Sequence, residues 1–102
     1  MRNLNYTIDL IDATGTIFTH IVPRAATDRF LRELVTNSSD HGITPADQEA
    51  ALEEFAIMHA GAERGDNTVN AAAYRLWADG RLGIAWRDGQ MLWKYLGDPE
   101  TA

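Results

Sequence analysis

Apolar and polar residues alternate at both ends of the chain, whereas in the middle apolar residues recur every three or four positions. From Leu4 to Val22 the alternation of Tyr6, Ile8 and Leu10, the turn formers Asp12-Ala13-Thr14-Gly15, and the returning Ile17, Phe18, Ile21 and Val22 predict a β-hairpin that Pro23 ends. Thr27 or Asp28 can cap a first helix running to about Asn37, with Phe30, Leu31, Leu34 and Val35 as its apolar stripe and Arg29, Arg32 and Glu33 turned to solvent. The polar run Asn37-Ser38-Ser39-Asp40-His41-Gly42 breaks it. Thr44, with Pro45 at the first helical position and Gln48 near the capping-box place, opens a second helix. Its Ala51, Leu52, Phe55, Ile57 and Met58 are expected to face inward, and it should end near Gly61.

The polar loop Glu63-Arg64-Gly65-Asp66 leads to a third helix capped by Asn67 or Thr68. Val69, Ala72, Ala73 and Leu76 form its expected apolar face, and Gly80 stops it where a left-handed residue costs least. Leu82, Ile84 and Trp86 then alternate with their neighbours, Arg87-Asp88-Gly89 turns, and Met91, Trp93 and Tyr95 alternate again. The prediction is a single α+β domain over residues 1–97, of order ββαααββ, with a frayed tail at 98–102.

A chain of 102 residues can bury a core without covalent staples, and it contains no cysteine. Disulfide frameworks, thiolate zinc sites and thiol nucleophiles are thereby excluded, and a reducing compartment fits. No apolar run is long enough to span a bilayer and MRNLNYTIDLID lacks a signal-peptide apolar core, so a cytoplasmic, membrane-free protein is expected. The net charge of −6 opposes nonspecific attraction to phosphate. Its distribution is uneven: residues 64–95 carry Arg64, Arg75, Arg81, Arg87 and Lys94 against Asp66, Asp79 and Asp88.

From Thr68-Val69 through Ala72, Ala73 and Leu76 to Gly80 and Arg81-Leu82, the chain resembles the recognition helix and wing of winged helix-turn-helix proteins. Glu54-Phe55-Ala56 and Gly61 resemble the positioning helix of that family, although the connection to Thr68 is longer than its usual tight turn. The resemblance implies a winged-helix-like regulator of duplex DNA, without catalytic function. Asn67, Thr68, Asn70, Ala71, Tyr74 and Arg75 would lie against base edges, and Arg64, Arg81 and Arg87 would hold phosphates. One acidic module of this size would bind weakly, so the same reading implies a homodimer, through the first hairpin or first helix.

The acidic residues support an alternative from a different class. Asp28, Glu33, Asp47, Glu49, Glu53, Glu54 and Glu63 could form a surface that complements a basic protein groove, as in an adaptor or a phage-type inhibitor. A third reading starts from Ile11-Asp12-Ala13-Thr14-Gly15-Thr16-Ile17-Phe18, which resembles the first motif of haloacid-dehalogenase-type phosphotransferases. That likeness implies Asp12 as a nucleophile beside Mg²⁺. The family's later lysine and acidic metal pair have no counterpart, the only lysine being Lys94 in a hairpin strand.

His20, His41 and His59 sit in different elements without ligand spacing, although His59 and Glu63 are four apart. Ser38 and Ser39 near His41 lack a nucleophile elbow, and no phosphate-cradling glycine loop occurs. No enzyme, metal or cofactor is therefore expected. Trp77, Trp86 and Trp93, with Tyr74 and Tyr95, are expected in the core; exposure of Trp77 and Trp86 would instead signal an aromatic binding patch beside Arg75 and Arg87.

Overall fold

The computed structural model describes residues 5–38 and 42–98. Their order is β1 (Tyr6–Ile11), β2 (Ile17–Val22), α1 (Arg24–Thr36), α2 (Pro45–Glu63), α3 (Val69–Ala78), β3 (Leu82–Arg87) and β4 (Gln90–Tyr95). The class and order are those predicted from the sequence: two separate antiparallel hairpins flank three helices. Leu4, Ser39, Asp40, His41 and the tail from Pro99 to Ala102 lie outside the described residues. Asp98, expected to begin the frayed tail, instead pairs with Arg81 and accepts a hydrogen bond from the Tyr95 hydroxyl.

In the first hairpin Tyr6 pairs with Val22 and Ile11 with Ile17. Alternation then puts Tyr6, Ile8, Leu10, Phe18, His20 and Val22 on one face, which rests on α2. The second hairpin closes on Asp88 and Gly89, both at positive φ, which is the geometry of a two-residue turn suited to strand twist.

Helix α1 starts at Arg24, ahead of both expected caps, because Pro23 takes the cap position and its carbonyl already accepts from Ala26 and Thr27. The Thr27 hydroxyl donates to the same carbonyl, so it acts inside the helix and not as a cap. Thr44 and Thr68 are caps as expected, accepting from the Asp47 and Ala71 backbone N–H groups at 3.0 and 3.2 Å. Helix α2 runs past Gly61 to Glu63. It ends where Gly65 takes a positive φ and Asp66 N–H returns to the Gly61 carbonyl; the same arrangement ends α3 at Gly80.

The core is aromatic at its centre. Phe30 of α1 stacks on Phe55 of α2 at 4.2 Å, and Trp77 of α3 meets the Phe55 ring edge-on at 5.1 Å. Leu34, Met58, Ile84 and Val22 close around them, and Trp86 is buried too. Arg29 lies 4.0 Å over the Trp77 ring and donates to the Trp77 carbonyl at 2.7 Å, placing a cation at the α3 C-terminus.

Four stripe assignments need correction. Val35, Ile57 and Val69 were expected to face inward, yet all are exposed, Val69 by 73%. Helix α3 is turned relative to expectation: Ala72 is exposed as well and Ala71 is buried in its place, while Ala73 and Trp77 are buried as expected and Leu76 is half-buried. The cause lies at the α2–α3 crossing, where a Cβ added to Gly61 would stand 3.2 Å from that of Ala71. Two small residues let the helices approach closely, and that approach dictates which side of α3 is inside.

Glu33, expected in solvent, spans three elements. One carboxylate oxygen accepts from the Trp77 indole N–H at 2.8 Å, and the other accepts from the Ile84 backbone N–H at 2.8 Å. One turn later the Asn37 side-chain amide donates to the Ile84 carbonyl at 3.0 Å. The outer edge of β3 is thus satisfied at Ile84 by side chains of α1, as a neighbouring strand would satisfy it.

Candidate functional site

Two strands and two helix ends meet around a groove of about 500 Å³. Leu10, Ile11, Asp12, Ala13 and Phe18 come from the first hairpin, Ile57, Ala60 and Gly61 from α2, and Arg64, Asp66, Thr68 and Asn70 from the α2–α3 connection and the start of α3. The walls are mainly apolar and the polar groups stand together at the α3 end, an arrangement suited to an apolar side chain with a hydrogen-bonding neighbour. Ile57, 44% exposed, and Ile11, 69% exposed, are its accessible apolar members.

Asp12 lines this groove as a turn residue. One of its carboxylate oxygens accepts from the Thr14 hydroxyl at 2.6 Å, the Thr14 N–H at 2.9 Å and the Thr16 N–H at 3.0 Å. The Thr14 side-chain bond, then the Thr16 backbone bond, hold its carboxyl below the usual carboxylate range. The strand before it is half of an antiparallel hairpin, not part of the parallel sheet implied by the phosphotransferase likeness. No group of three or more ligating side chains is assembled among the described residues.

The residues expected to read DNA are divided. Arg64, Thr68 and Asn70 line the groove, and Asn67 is exposed beside them. Ala71 is fully buried against Gly61, which removes it from any base-reading role. Tyr74 is half-buried with its ring against Phe55, His59 and Trp77, and so is not an outward contact either. Burial, and then Glu63, push its hydroxyl pKa up. Arg75 and Arg81 line a separate concavity with Glu63, Leu76 and Asp79, and Arg87 stands at the end of β3.

Much of the cationic charge is internally engaged. Arg75 donates to the Asp66 carbonyl at 2.9 Å, Arg81 pairs with Asp98 and lies 3.7 Å from Asp79, and the Arg64 guanidinium lies 4.7 Å over the Phe18 ring. Trp77 and Trp86 are core residues, which removes the conditional aromatic patch beside Arg75 and Arg87, whereas Trp93 and Tyr95, expected in the core, are exposed on β4.

The acidic set divides as well. Glu33 is withdrawn from the expected protein-binding surface by its bonds to Trp77 and Ile84, and Asp28 pairs with Arg24 at 3.2 Å. Glu63 lies 3.9 Å from His59. Asp47 is half-buried in the first turn of α2. Glu49, Glu53 and Glu54 are exposed and form no salt bridge with a described residue. Glu49, Glu53 and Ile57 follow at four-residue spacing, so one stripe of α2 runs from carboxylates into the apolar groove.

A second polar contact fixes the floor beside that groove. His20 Nε2 and His59 Nδ1 are 2.8 Å apart, joining the first hairpin to α2. Burial lowers both pKa values; each ring is also influenced by Glu63, which acts the other way. Nothing in the sequence signals this pair, whose members are 39 positions apart. Among the described residues no helix is long and apolar enough to cross a membrane. Comparison with protein-family models, curated proteins and solved structures finds no match to this chain.

Proposed function

We propose that this chain is a non-catalytic protein-binding module that receives a basic, amphipathic segment of a partner. The partner's apolar side chain would enter the groove between Leu10, Phe18 and Ile57, and its cations would lie along Glu49, Glu53 and Glu54. The supporting observation is the stripe itself: carboxylates without a salt bridge to any described residue lead directly into exposed apolar surface on the same face of α2. Like charges at Glu49 and Glu53, one helical turn apart, repel each other in the free protein, and a bound cation relieves that repulsion. A basic target surface is what an acidic adaptor or inhibitor would cover.

Duplex-DNA binding of the winged-helix kind is the second reading, favoured by the exposure of Asn67, Asn70 and Arg75 around the capped start of α3. It ranks lower because the outward side of α3 carries Val69 and Ala72, which have no hydrogen-bonding side chain for base edges, and because Arg75 and Arg81 already have partners.

A titration of isotope-labelled protein followed by NMR separates the two. One ligand is a helical peptide with lysines on one face and leucines on the other; the second is duplex DNA. The peptide should shift Leu10, Ile11, Phe18, Ile57 and Ala60 in a saturable manner. Saturable shifts of Asn70, Arg75 and Arg87 with DNA, and none with peptide, would overturn the proposal in favour of the DNA reading.

A further inference from the structure

The two edges of the C-terminal hairpin are treated differently. At β3 the Ile84 N–H and C=O point away from β4 and are taken by Glu33 and Asn37. Ile84 pairs with Trp93, and in an antiparallel ladder such a pair turns the backbone groups of both members outward. Trp93, and Met91 and Tyr95 two positions to either side, therefore direct their N–H and C=O groups to the far edge of β4, where no strand lies among the described residues. This edge lacks two of the usual safeguards and its one charge is Lys94: it has no proline, and its register is continuous from Leu82–Tyr95 to Arg87–Gln90 without a bulge. It also exposes Leu92, Trp93, Tyr95 and Leu96.

We infer that β4 pairs with β4 of a second copy, antiparallel and centred on Leu92, to give a continuous four-stranded sheet. In this register Met91 of each copy faces Trp93 of the other, so four backbone hydrogen bonds form around the twofold axis. Leu92 meets its own counterpart on the outer face. Lys94 lies opposite Gln90 and diagonal to Asp88 of the second copy, an attractive pair, and no like charges stand directly opposite. A register centred on Lys94 would oppose two ammonium groups, and is disfavoured for that reason.

The rest of the chain is acidic, but β4 itself carries Lys94 alone, and Asp98 beyond it is tied to Arg81. Covering the exposed parts of Leu92, Trp93, Tyr95 and Leu96 with the strand edge would bury on the order of 1,000 Å² in total, near the lower limit for specific contacts. The dimer is accordingly concentration-dependent. Growth stops at two copies, because the β3 edge is occupied by α1 side chains.

Sedimentation equilibrium of the full chain tests this over a concentration series from micromolar to millimolar. The mass should rise from monomer to dimer and no further, and Leu92→Lys should raise the dissociation constant at least tenfold with an unchanged far-UV spectrum. Because the chain has no cysteine, Leu92→Cys provides a second readout. Its two thiols would face each other at a non-hydrogen-bonded pair and form a covalent dimer under mild oxidation much faster than those of Val35→Cys on the exposed side of α1. A monomer at every concentration, as an edge reserved for another protein's strand would give, overturns the inference. So does a dimer indifferent to Leu92→Lys, or equal cross-linking of the two cysteine variants.

Discussion

Replacing Glu33 tests how three elements of the core are joined. Its carboxylate receives the Trp77 indole N–H and the Ile84 backbone N–H, both at 2.8 Å and both partly buried. Glu33→Ala removes both acceptors and leaves two donors without a partner. Hydrogen bonds to a charged group contribute about 1.5–3 kcal/mol each, and water reaching one of the vacated donors recovers part of that, so a net loss of about 3 kcal/mol is expected. For a domain of this size the melting temperature should fall by roughly 12–20 °C.

Glu33→Gln keeps the shape and one acceptor but turns an amide N–H₂ toward the other donor. It should cost about half as much as alanine. Urea unfolding followed by circular dichroism gives the free energies. Asn37→Ala, alone and combined with Glu33→Ala, measures the coupling of the two side chains through Ile84. A loss below about 0.5 kcal/mol for Glu33→Ala would refute the view that this carboxylate joins α1 to α3 and β3, since that is the size of an ordinary surface substitution.

Other substitutions address neighbouring parts of the account. Gly61→Val should destabilise by about 1–3 kcal/mol in urea unfolding, because even one added Cβ would stand 3.2 Å from the Ala71 methyl. Trp86→Phe should change stability by less than about 1.5 kcal/mol despite the lost area, because the buried Trp86 indole N–H has no hydrogen-bond partner to lose among the described residues. His20 and His59 are both held below their ordinary value near 6.5, so the folded state favours the neutral rings. Their contribution is complete above that value and is lost as pH falls through the lowered folded values. The melting temperature should therefore drop from pH 7 to pH 5 more steeply in the wild type than in His59→Asn; equal slopes would exclude the pair as the acid-sensitive contact.

The order of elements, the hairpin turns and the Thr44 and Thr68 caps were legible because each rests on residues close in sequence. The facing of the helices was less so. Apolar residues run most of the way round α3, with Val69, Ala72 and Leu76 to one side of Ala73 and Ala71 and Trp77 to the other, and periodicity alone cannot choose which side is buried. The choice is made by Gly61 and Ala71, whose small size is informative only once they are known to touch. Glu33 looked like a solvated helix residue because its partners lie 44 and 51 positions away. The groove was hidden for the same reason. Asp12 of the first hairpin turn, Ile57 of α2 and Asn70 of α3 are far apart in sequence, and no local pattern announces that they converge.

Calorimetric binding of the lysine–leucine helical peptide to the wild type and to a Glu49→Lys, Glu53→Lys double variant addresses the partner surface most directly. The account predicts saturable binding that weakens with salt and at least tenfold loss of affinity in the variant, whose melting temperature stays close to the wild-type value. Equal affinity of the two proteins for the peptide, or binding by neither, would contradict it.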